Sequence, residues 1–209
     1  MEDLTHDIID VQLLDVKMGR ITYDDSENGV KTKFRADLYE KLKKEENNTL
    51  TEEEVLRKTI TKQRYLDWRD HQSTTAKFGY RFEGIQSQEG AKIKTTGQCR
   101  DPDEAMVLLR KYLEHSNISI VRQMIARLER IKIGLEKSPL ISHLKMIGVS
   151  LLFIYDRDET FGSMNVGMID FGKVKYLEET DDCLREEWLF GLGNLIELFK
   201  RYSQRPSSS

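Results

Sequence analysis

The stretch Val11-Gln-Leu-Leu-Asp-Val-Lys-Met-Gly19 carries the main indication of the fold of this 209-residue chain. A short apolar run that ends at a glycine predicts a buried strand followed by a turn. Asp15 and Lys17 are two positions apart, and side chains with that spacing lie on the same face of a strand. A carboxylate and an ammonium group therefore stand side by side. Taken alone, such a pair is more simply explained as a surface ion pair, which contributes little energy.

The composition around this strand is that of a folded protein with a highly charged surface. Hydrophobic residues make up 38% and charged residues 33% of the chain, and apolar segments recur throughout it, which predicts one globular unit. The formal net charge of -3 argues against general nucleic-acid binding, which needs a basic excess. No apolar run approaches the roughly 20 residues of a membrane span, so we expect no membrane insertion. Cys99 and Cys183 stand far apart, which favours reduced thiols in the cytoplasm or nucleus.

Hydrophobic periodicity predicts helices and strands in mixed order along the rest of the chain. Helices are predicted at residues 33–44, 62–69, 121–135 and 186–202, and after the capping patterns at Thr51 and Asp101. Strands are predicted at residues 78–83, in a hairpin with Ile93, and at residues 147–155 and 166–171. The expected fold class is α+β.

Two further segments hold side chains suited to phosphoryl transfer. That reaction needs carboxylates that bind Mg²⁺, a cation near the transferred group and a group that orients the attacking hydroxyl. Asp170 ends a predicted strand just before the flexible Gly172, although an aspartate there also suits an ordinary turn. Lys62, Tyr65 and Arg69 recur at spacings of three and four and so share one helix face. Alone, that pattern is typical of a solvated face.

Taken in order along the chain, these segments resemble the inositol polyphosphate kinase family. The family motifs Asp-x-Lys-x-Gly, Ser-Leu-Leu and Ile-Asp-Phe-Gly-Lys stand here at residues 15–19, 150–152 and 169–173. Three further stretches resemble the inositol 1,4,5-trisphosphate 3-kinase branch in particular, at residues 51–54, 61–69 and 73–85. Together the matches cover nearly the whole chain.

The resemblance implies catalytic and metal-binding roles for residues singled out above. Asp15 would orient and activate the inositol hydroxyl, and Lys17 would bridge the γ-phosphoryl group and the substrate. Asp170 would bind Mg²⁺ and the nucleotide with help from Ser150. Without a histidine at useful spacing, Ser150 otherwise indicates a buried hydroxyl bonded to the backbone. ATP and Mg²⁺ are the cofactors that follow from these roles.

The resemblance also implies contacts to the substrate and to the nucleotide. The helix face of Lys62, Tyr65 and Arg69 would bind substrate phosphates through charge-assisted hydrogen bonds. Near the start of the chain, Glu2 and Asp3 resemble the hinge that holds adenine and ribose. An inositol polyphosphate and ATP are therefore the expected partners.

At the level of the fold, the resemblance implies that residues 1–209 form the C-terminal catalytic lobe of a kinase-like, ATP-grasp-related fold. A helical inositol-phosphate-binding insertion is expected at about residues 33–72, and the N-terminal lobe that covers ATP is expected to be absent. Four departures from the family pattern leave substrate choice open. They are Val11 for a proline, Gln86 for a lysine, Val149 for a serine, and a shortened segment at residues 178–190.

The expected activity is ATP-dependent phosphorylation of an inositol polyphosphate, with the 3-hydroxyl of inositol 1,4,5-trisphosphate as the preferred acceptor and a place in calcium signalling. One alternative is a truncated or non-catalytic inositol phosphate-binding protein. Another is an inositol phosphate multikinase or hexakisphosphate kinase. A regulator of the calmodulin type would act through a segment upstream of Met1.

Overall fold

A computed structural model describes residues 8, 10–24, 26–86, 92–94, 99–157 and 163–204 of the chain. Its elements occur in the order β1 (Val11–Met18), β2 (Phe34–Arg35), α1 (Ala36–Glu46), α2 (Glu52–Arg57), β3 (Ile60–Thr61), α3 (Lys62–His71), α4 (Thr74–Phe78), β4 (Tyr80–Gln86), β5 (Lys92–Lys94), α5 (Pro102–Tyr112), α6 (Ile118–Lys137), β6 (Leu144–Lys145), β7 (Ser150–Asp156), β8 (Met164–Ile169), β9 (Lys175–Tyr176) and α7 (Asp182–Ser203). This mixture confirms the α+β class. Among these helices none is both long and apolar enough to span a membrane.

The central sheet has five strands in the order β5-β4-β1-β7-β8, and neighbouring strands are antiparallel. The apolar run that predicted a buried strand is the middle strand, β1. Leu14 and Val16 have no accessible surface because they enter the main core, whereas Asp15 and Lys17 alternate with them and face the other side of the sheet. The pairing with β4 shifts between Asp15 and Val16, so Glu83 is an extra residue on the β4 side.

The two long helices α6 and α7 share the main core with the sheet. Phe199 of α7 stacks on Phe153 of β7 at a ring-centroid distance of 5.1 Å. Helix α7 also passes very close to the end of α4, where a Cβ atom on Gly79 would lie 2.7 Å from the Cα atom of Gly191. Only glycine leaves room for the two backbones at this crossing.

A second, smaller core lies between α1, β3 and α3, in the range where the sequence predicts the helical insertion. Its buried side chains are Leu38, Tyr39, Leu42 and Ile60. The first helix begins three residues later than predicted, because Phe34 and Arg35 pair with β3. The predicted capping box is present at α2, where the Thr51 hydroxyl accepts from the backbone N–H of Glu54 and the Glu54 carboxylate accepts from the N–H of Thr51.

The strand predicted from residue 78 begins only at Tyr80, because the residues before it form the short helix α4. The Ser73 hydroxyl accepts a hydrogen bond from the backbone N–H of Thr75 at the start of α4, and Gly79 ends this helix with a φ of 72°. The predicted hairpin is present, since β4 pairs with β5. Glu2 and Asp3, the predicted nucleotide contacts, lie outside the described residues.

Candidate active site

A cleft of about 610 Å³ lies on the polar face of β1, opposite the main core. Four parts of the chain supply its charged side chains, namely β1, α3, β4 and the turn after β8. Among these side chains are Asp15, Lys17, Lys62, Arg69, Asp170 and Lys173. For five of the six, all except Lys173, the family resemblance implies a role. The fold therefore brings together candidates from both ends of the chain.

Asp15 lies in the middle of the sheet, opposite Gly84 of β4 and Leu152 of β7. Its Oδ1 atom is buried and has no hydrogen-bond partner among the described residues. Burial raises the pKa of the Asp15 carboxyl, and this effect outweighs the opposing influence of the neighbouring Ser150 hydroxyl and Lys17 ammonium group. A carboxylate with a raised pKa and an unpaired oxygen can accept a proton from a hydroxyl group bound in the cleft.

Asp170 follows β8 in a left-handed backbone conformation, with a φ of 67° and a ψ of 41°. Such a conformation costs a non-glycine residue roughly 1 kcal/mol or more and occurs often at functional sites. Ser150 on β7 pairs with Ile169, the residue before Asp170, and its buried Oγ atom has no hydrogen-bond partner in the part of the chain described. Mg²⁺ usually takes one or two carboxylates together with substrate phosphates. These oxygen atoms fit a divalent cation that is bound along with a nucleotide.

Helix α3 contributes two cations to the cleft. The Nζ atom of Lys62 lies 2.7 Å from Oε1 of Glu27. Arg69 donates from Nη2 to the Thr22 hydroxyl at 3.2 Å, while its buried Nε atom has no partner among the described residues. Burial is the main cause that lowers the pKa of Arg69, and the nearby guanidinium of Arg81 adds to it. A partly buried and incompletely paired guanidinium favours an anionic ligand.

Tyr65 is the one described residue of the predicted substrate set that does not line this cleft. Its ring lies against Trp68, with a centroid distance of 5.7 Å, and packs on the small core of α1 and α3. Its ring is thus directed towards the small core although Tyr65 shares a helix face with Lys62 and Arg69, and its role as a substrate contact stays a prediction.

A buried network of charged side chains lies beside the cleft and was not predicted from the sequence. Arg81, which is 1% exposed, donates to Asp70 Oδ1 at 3.1 Å and also to Glu83. Asp70 accepts from the backbone N–H of Thr22 at 2.9 Å and from its hydroxyl at 2.8 Å. Since Thr22 also accepts from Arg69, the network joins β4 to α3. The sequence does contain one indication of this network. Arg81 and Glu83 alternate with aromatic residues in β4, and this alternation places the two charged side chains on the cleft face of the strand.

The side chains that line the cleft combine four cations with three carboxylates. The cations are Lys17, Lys62, Arg69 and Lys173, and the carboxylates are Asp15, Glu83 and Asp170. Such a surface can bind a molecule that carries several negative charges. It can also take a proton from a hydroxyl group and hold a divalent cation. Among the described residues no cluster of three or more histidine, cysteine or acidic side chains could hold a metal by itself.

Comparison with known proteins gives a match to the inositol polyphosphate kinase family model over residues 1–200. The chain is 33% identical to inositol-trisphosphate 3-kinase C of Mus musculus, an alignment that covers 98% of this chain and 31% of that protein. It is also 33% identical to inositol-trisphosphate 3-kinase B of Homo sapiens, over 98% of this chain and 22% of that protein. The chain thus spans about a third or less of the length of these two relatives.

The fold is shared with a crystal structure of the inositol phosphate multikinase of S. cerevisiae in complex with ADP and Mn²⁺. The two structures superimpose with a TM-score of 0.63, over 96% of this chain and 82% of that one, at 16% sequence identity. This likeness confirms the kinase-like fold that the motifs indicated.

Proposed function

Because the chain belongs to the inositol polyphosphate kinase family, we propose that its cleft binds an inositol polyphosphate and takes part in the transfer of the γ-phosphoryl group of ATP to a ring hydroxyl. The observation that carries this proposal is that Asp15, Lys17 and Asp170 line one cleft together with the α3 cations Lys62 and Arg69. Phosphoryl transfer depends mainly on positioning and on the stabilisation of charge. The cleft holds a side chain suited to each of these tasks.

The preferred acceptor in this proposal is the 3-hydroxyl of inositol 1,4,5-trisphosphate. The names of the relatives support the choice, since they are inositol-trisphosphate 3-kinases. Lys62 and Arg69 are seven positions apart, which corresponds to about 10 Å along a helix. An ammonium group and a guanidinium at that separation can engage different phosphates of one ring, the guanidinium through two parallel N–H donors.

Asp15 is the proposed proton acceptor. The Asp15 carboxylate takes the proton of the ring hydroxyl while the oxygen of that hydroxyl bonds to the γ-phosphorus and the bond from that phosphorus to the bridging oxygen of ATP breaks. The raised pKa of Asp15 suits this task, because a stronger base accepts the proton more readily near neutral pH. Lys17, beside Asp15 on β1, offsets negative charge on the transferred group.

The proposed metal-binding residues are Asp170 and Ser150, which would hold Mg²⁺ together with the phosphates of ATP. A divalent cation supplies neutralisation of phosphate charge when it is bound there. The ADP and Mn²⁺ in the S. cerevisiae multikinase structure support the use of a nucleotide and a divalent cation in this fold. Glu2 and Asp3 remain the proposed nucleotide contacts.

The test is to incubate the purified protein with Mg²⁺-ATP and inositol 1,4,5-trisphosphate and to read the position of the new phosphate by NMR. A phosphate at the 3-position supports the proposal. A phosphate elsewhere on the ring overturns the 3-kinase assignment in favour of a multikinase or hexakisphosphate kinase. Calorimetric binding of the inositol phosphate without turnover at millimolar ATP would identify a non-catalytic binding protein instead.

A further inference from the structure

The turn that contains Asp24 and Glu27 presents one carboxylate to two lysines of the cleft. Oε1 of Glu27 lies 2.7 Å from Nζ of Lys62, and Oε2 lies 3.3 Å from Nζ of Lys173. Lys62 begins α3 and Lys173 follows β8, so the single carboxylate joins two sides of the cleft. The hydrogen bond from Lys62, with a second from Lys173, lowers the pKa of Glu27. Glu27 is therefore ionised at neutral pH.

The backbone that carries Glu27 is held on both sides. Asp24 is 3% exposed and is bound by two lysine ammonium groups, at 2.9 and 2.7 Å. On the other side Val30 is buried, and its carbonyl accepts a hydrogen bond from the N–H of Gln63 at 3.0 Å. The fold thus fixes where Glu27 stands. Its side chain is 35% exposed, so the carboxylate can leave the two lysines while the turn keeps its anchors.

We propose that Glu27 is an internal counter-ion of the substrate site, which an incoming phosphate group must displace from Lys62 and Lys173. This inference rests on the proposed function, because it takes the cleft to be the site of an inositol polyphosphate. Without a ligand, the single negative charge of Glu27 lies between two cations and reduces their mutual repulsion. With a ligand, a phosphate takes over both ion pairs and the carboxylate turns towards solvent.

The exchange favours a phosphate over a carboxylate. A phosphomonoester carries between one and two negative charges at neutral pH and offers three acceptor oxygens, whereas a carboxylate carries one charge and two oxygens. A ligand gains from the exchange only if its phosphate reaches Lys62 and Lys173 together. Glu27 is thereby a specificity-determining residue that discriminates against ligands with weakly charged groups at this position.

Glu27→Gln tests the proposal, because it keeps the size of the side chain and removes its charge. We expect inositol 1,4,5-trisphosphate to bind this variant about threefold to tenfold more tightly in titration calorimetry, since each partly exposed ion pair contributes a factor of a few. The matched control is Glu53→Gln, which removes the same charge and a 2.7 Å ion pair with Arg57 on α2, outside the cleft. The control should bind as the wild type does. Equal affinities in the wild type and Glu27→Gln overturn the proposal.

Pyrophosphate as a second probe separates this inference from the proposed function. Tighter binding of pyrophosphate to Glu27→Gln than to the wild type supports the exchange at Lys62 and Lys173. If pyrophosphate behaves in this way but no inositol phosphate binds, only the proposed function fails. If inositol phosphate instead binds the wild type and Glu27→Gln with the same affinity, Glu27 is not part of the site. The proposed function is unaffected by that result.

Discussion

Asp15 is the residue on which the proposed chemistry depends most. We expect Asp15→Asn to lower kcat by about 100-fold or more, the lower end of the usual contribution of a general base. The affinity for the inositol phosphate should stay within about twofold, because Asn has the same size and removes only the proton acceptor. Steady-state kinetics and titration calorimetry measure the two quantities. Turnover close to that of the wild type would contradict the role of Asp15.

The same substitution tests the raised pKa of Asp15 through stability. An aspartate in an unfolded chain titrates at about pH 3.9, and the folded pKa of Asp15 lies above its ordinary value, so the folded protein binds the proton more tightly. Ionisation at higher pH therefore costs folding free energy. We expect Asp15→Asn to be more stable than the wild type near pH 7, with a difference that shrinks as the pH falls through the folded pKa.

Urea unfolding at a series of pH values measures the difference in stability between Asp15→Asn and the wild type. Asp37→Asn is the control, because its effect on stability is expected to have the opposite sign. The hydrogen bond from Arg35 lowers the pKa of Asp37, so the ionised carboxylate stabilises the fold above the unfolded pKa. The control should be slightly less stable than the wild type near neutral pH. A gain in Asp15→Asn that does not vary with pH would show that the pKa is not the cause.

Tyr65 and Arg69 should differ in their contribution to substrate binding, because only Arg69 lines the cleft. We expect Arg69→Ala to raise the KM for the inositol phosphate by about tenfold or more, through loss of a charge-assisted hydrogen bond. Tyr65→Phe should change KM by less than about twofold, since it removes only a hydroxyl outside the cleft. Arg57→Ala removes an exposed guanidinium on α2 and serves as the control. A tenfold effect of Tyr65→Phe would restore the contact that the family resemblance implied.

At the scale of elements, the crossing of α4 and α7 depends on the absence of side chains at Gly79 and Gly191. A Cβ atom on Gly191 would overlap the carbonyl group of Gly79, which is backbone and cannot move aside. We expect Gly191→Ala to lower the free energy of unfolding by about 2 kcal/mol or more. Gly193→Ala lies two residues away in the same helix with open space around it, and should raise stability by up to about 1 kcal/mol. Urea denaturation compares the two variants, and similar effects would contradict the close approach.

Helices and strands that are determined by neighbouring residues could be predicted from the sequence, whereas contacts between distant segments could not. The apolar run of β1 and the capping box at Thr51 depend on residues within a few positions of each other. Helix α4 was missed because the alternation from residue 78 onward suggested a strand, while its cap at Ser73 lies outside that pattern. The partners of Lys62 and Arg69 are 35 and 47 positions away, so only the fold shows that Glu27 and Thr22 contact them.

At the scale of the whole molecule, the cleft joins parts that belong to different cores. Strand β1 belongs to the main core, while α3 packs on the second, smaller core. The buried network of Arg81, Asp70 and Thr22 connects the two. The motifs gave the identity of the catalytic candidates, whereas no motif indicated this network between the two cores. A ligand that binds residues from both cores should therefore hold them together.

Ligand binding is expected to stabilise the whole protein for this reason. At about 100 times its Kd, inositol 1,4,5-trisphosphate should add about 2.7 kcal/mol to the free energy of unfolding. For a chain of this size, that corresponds to a rise in Tm of about 5 to 10 °C. Thermal unfolding with and without the ligand, at equal ionic strength, measures the shift. Lys62→Ala should lose about half of the rise at the same ligand concentration, because a tenfold weaker affinity leaves about 1.4 kcal/mol, whereas Lys132→Ala, at a partly exposed residue of α6 outside the cleft, should keep it. An equal rise in both variants would place the ligand outside this cleft.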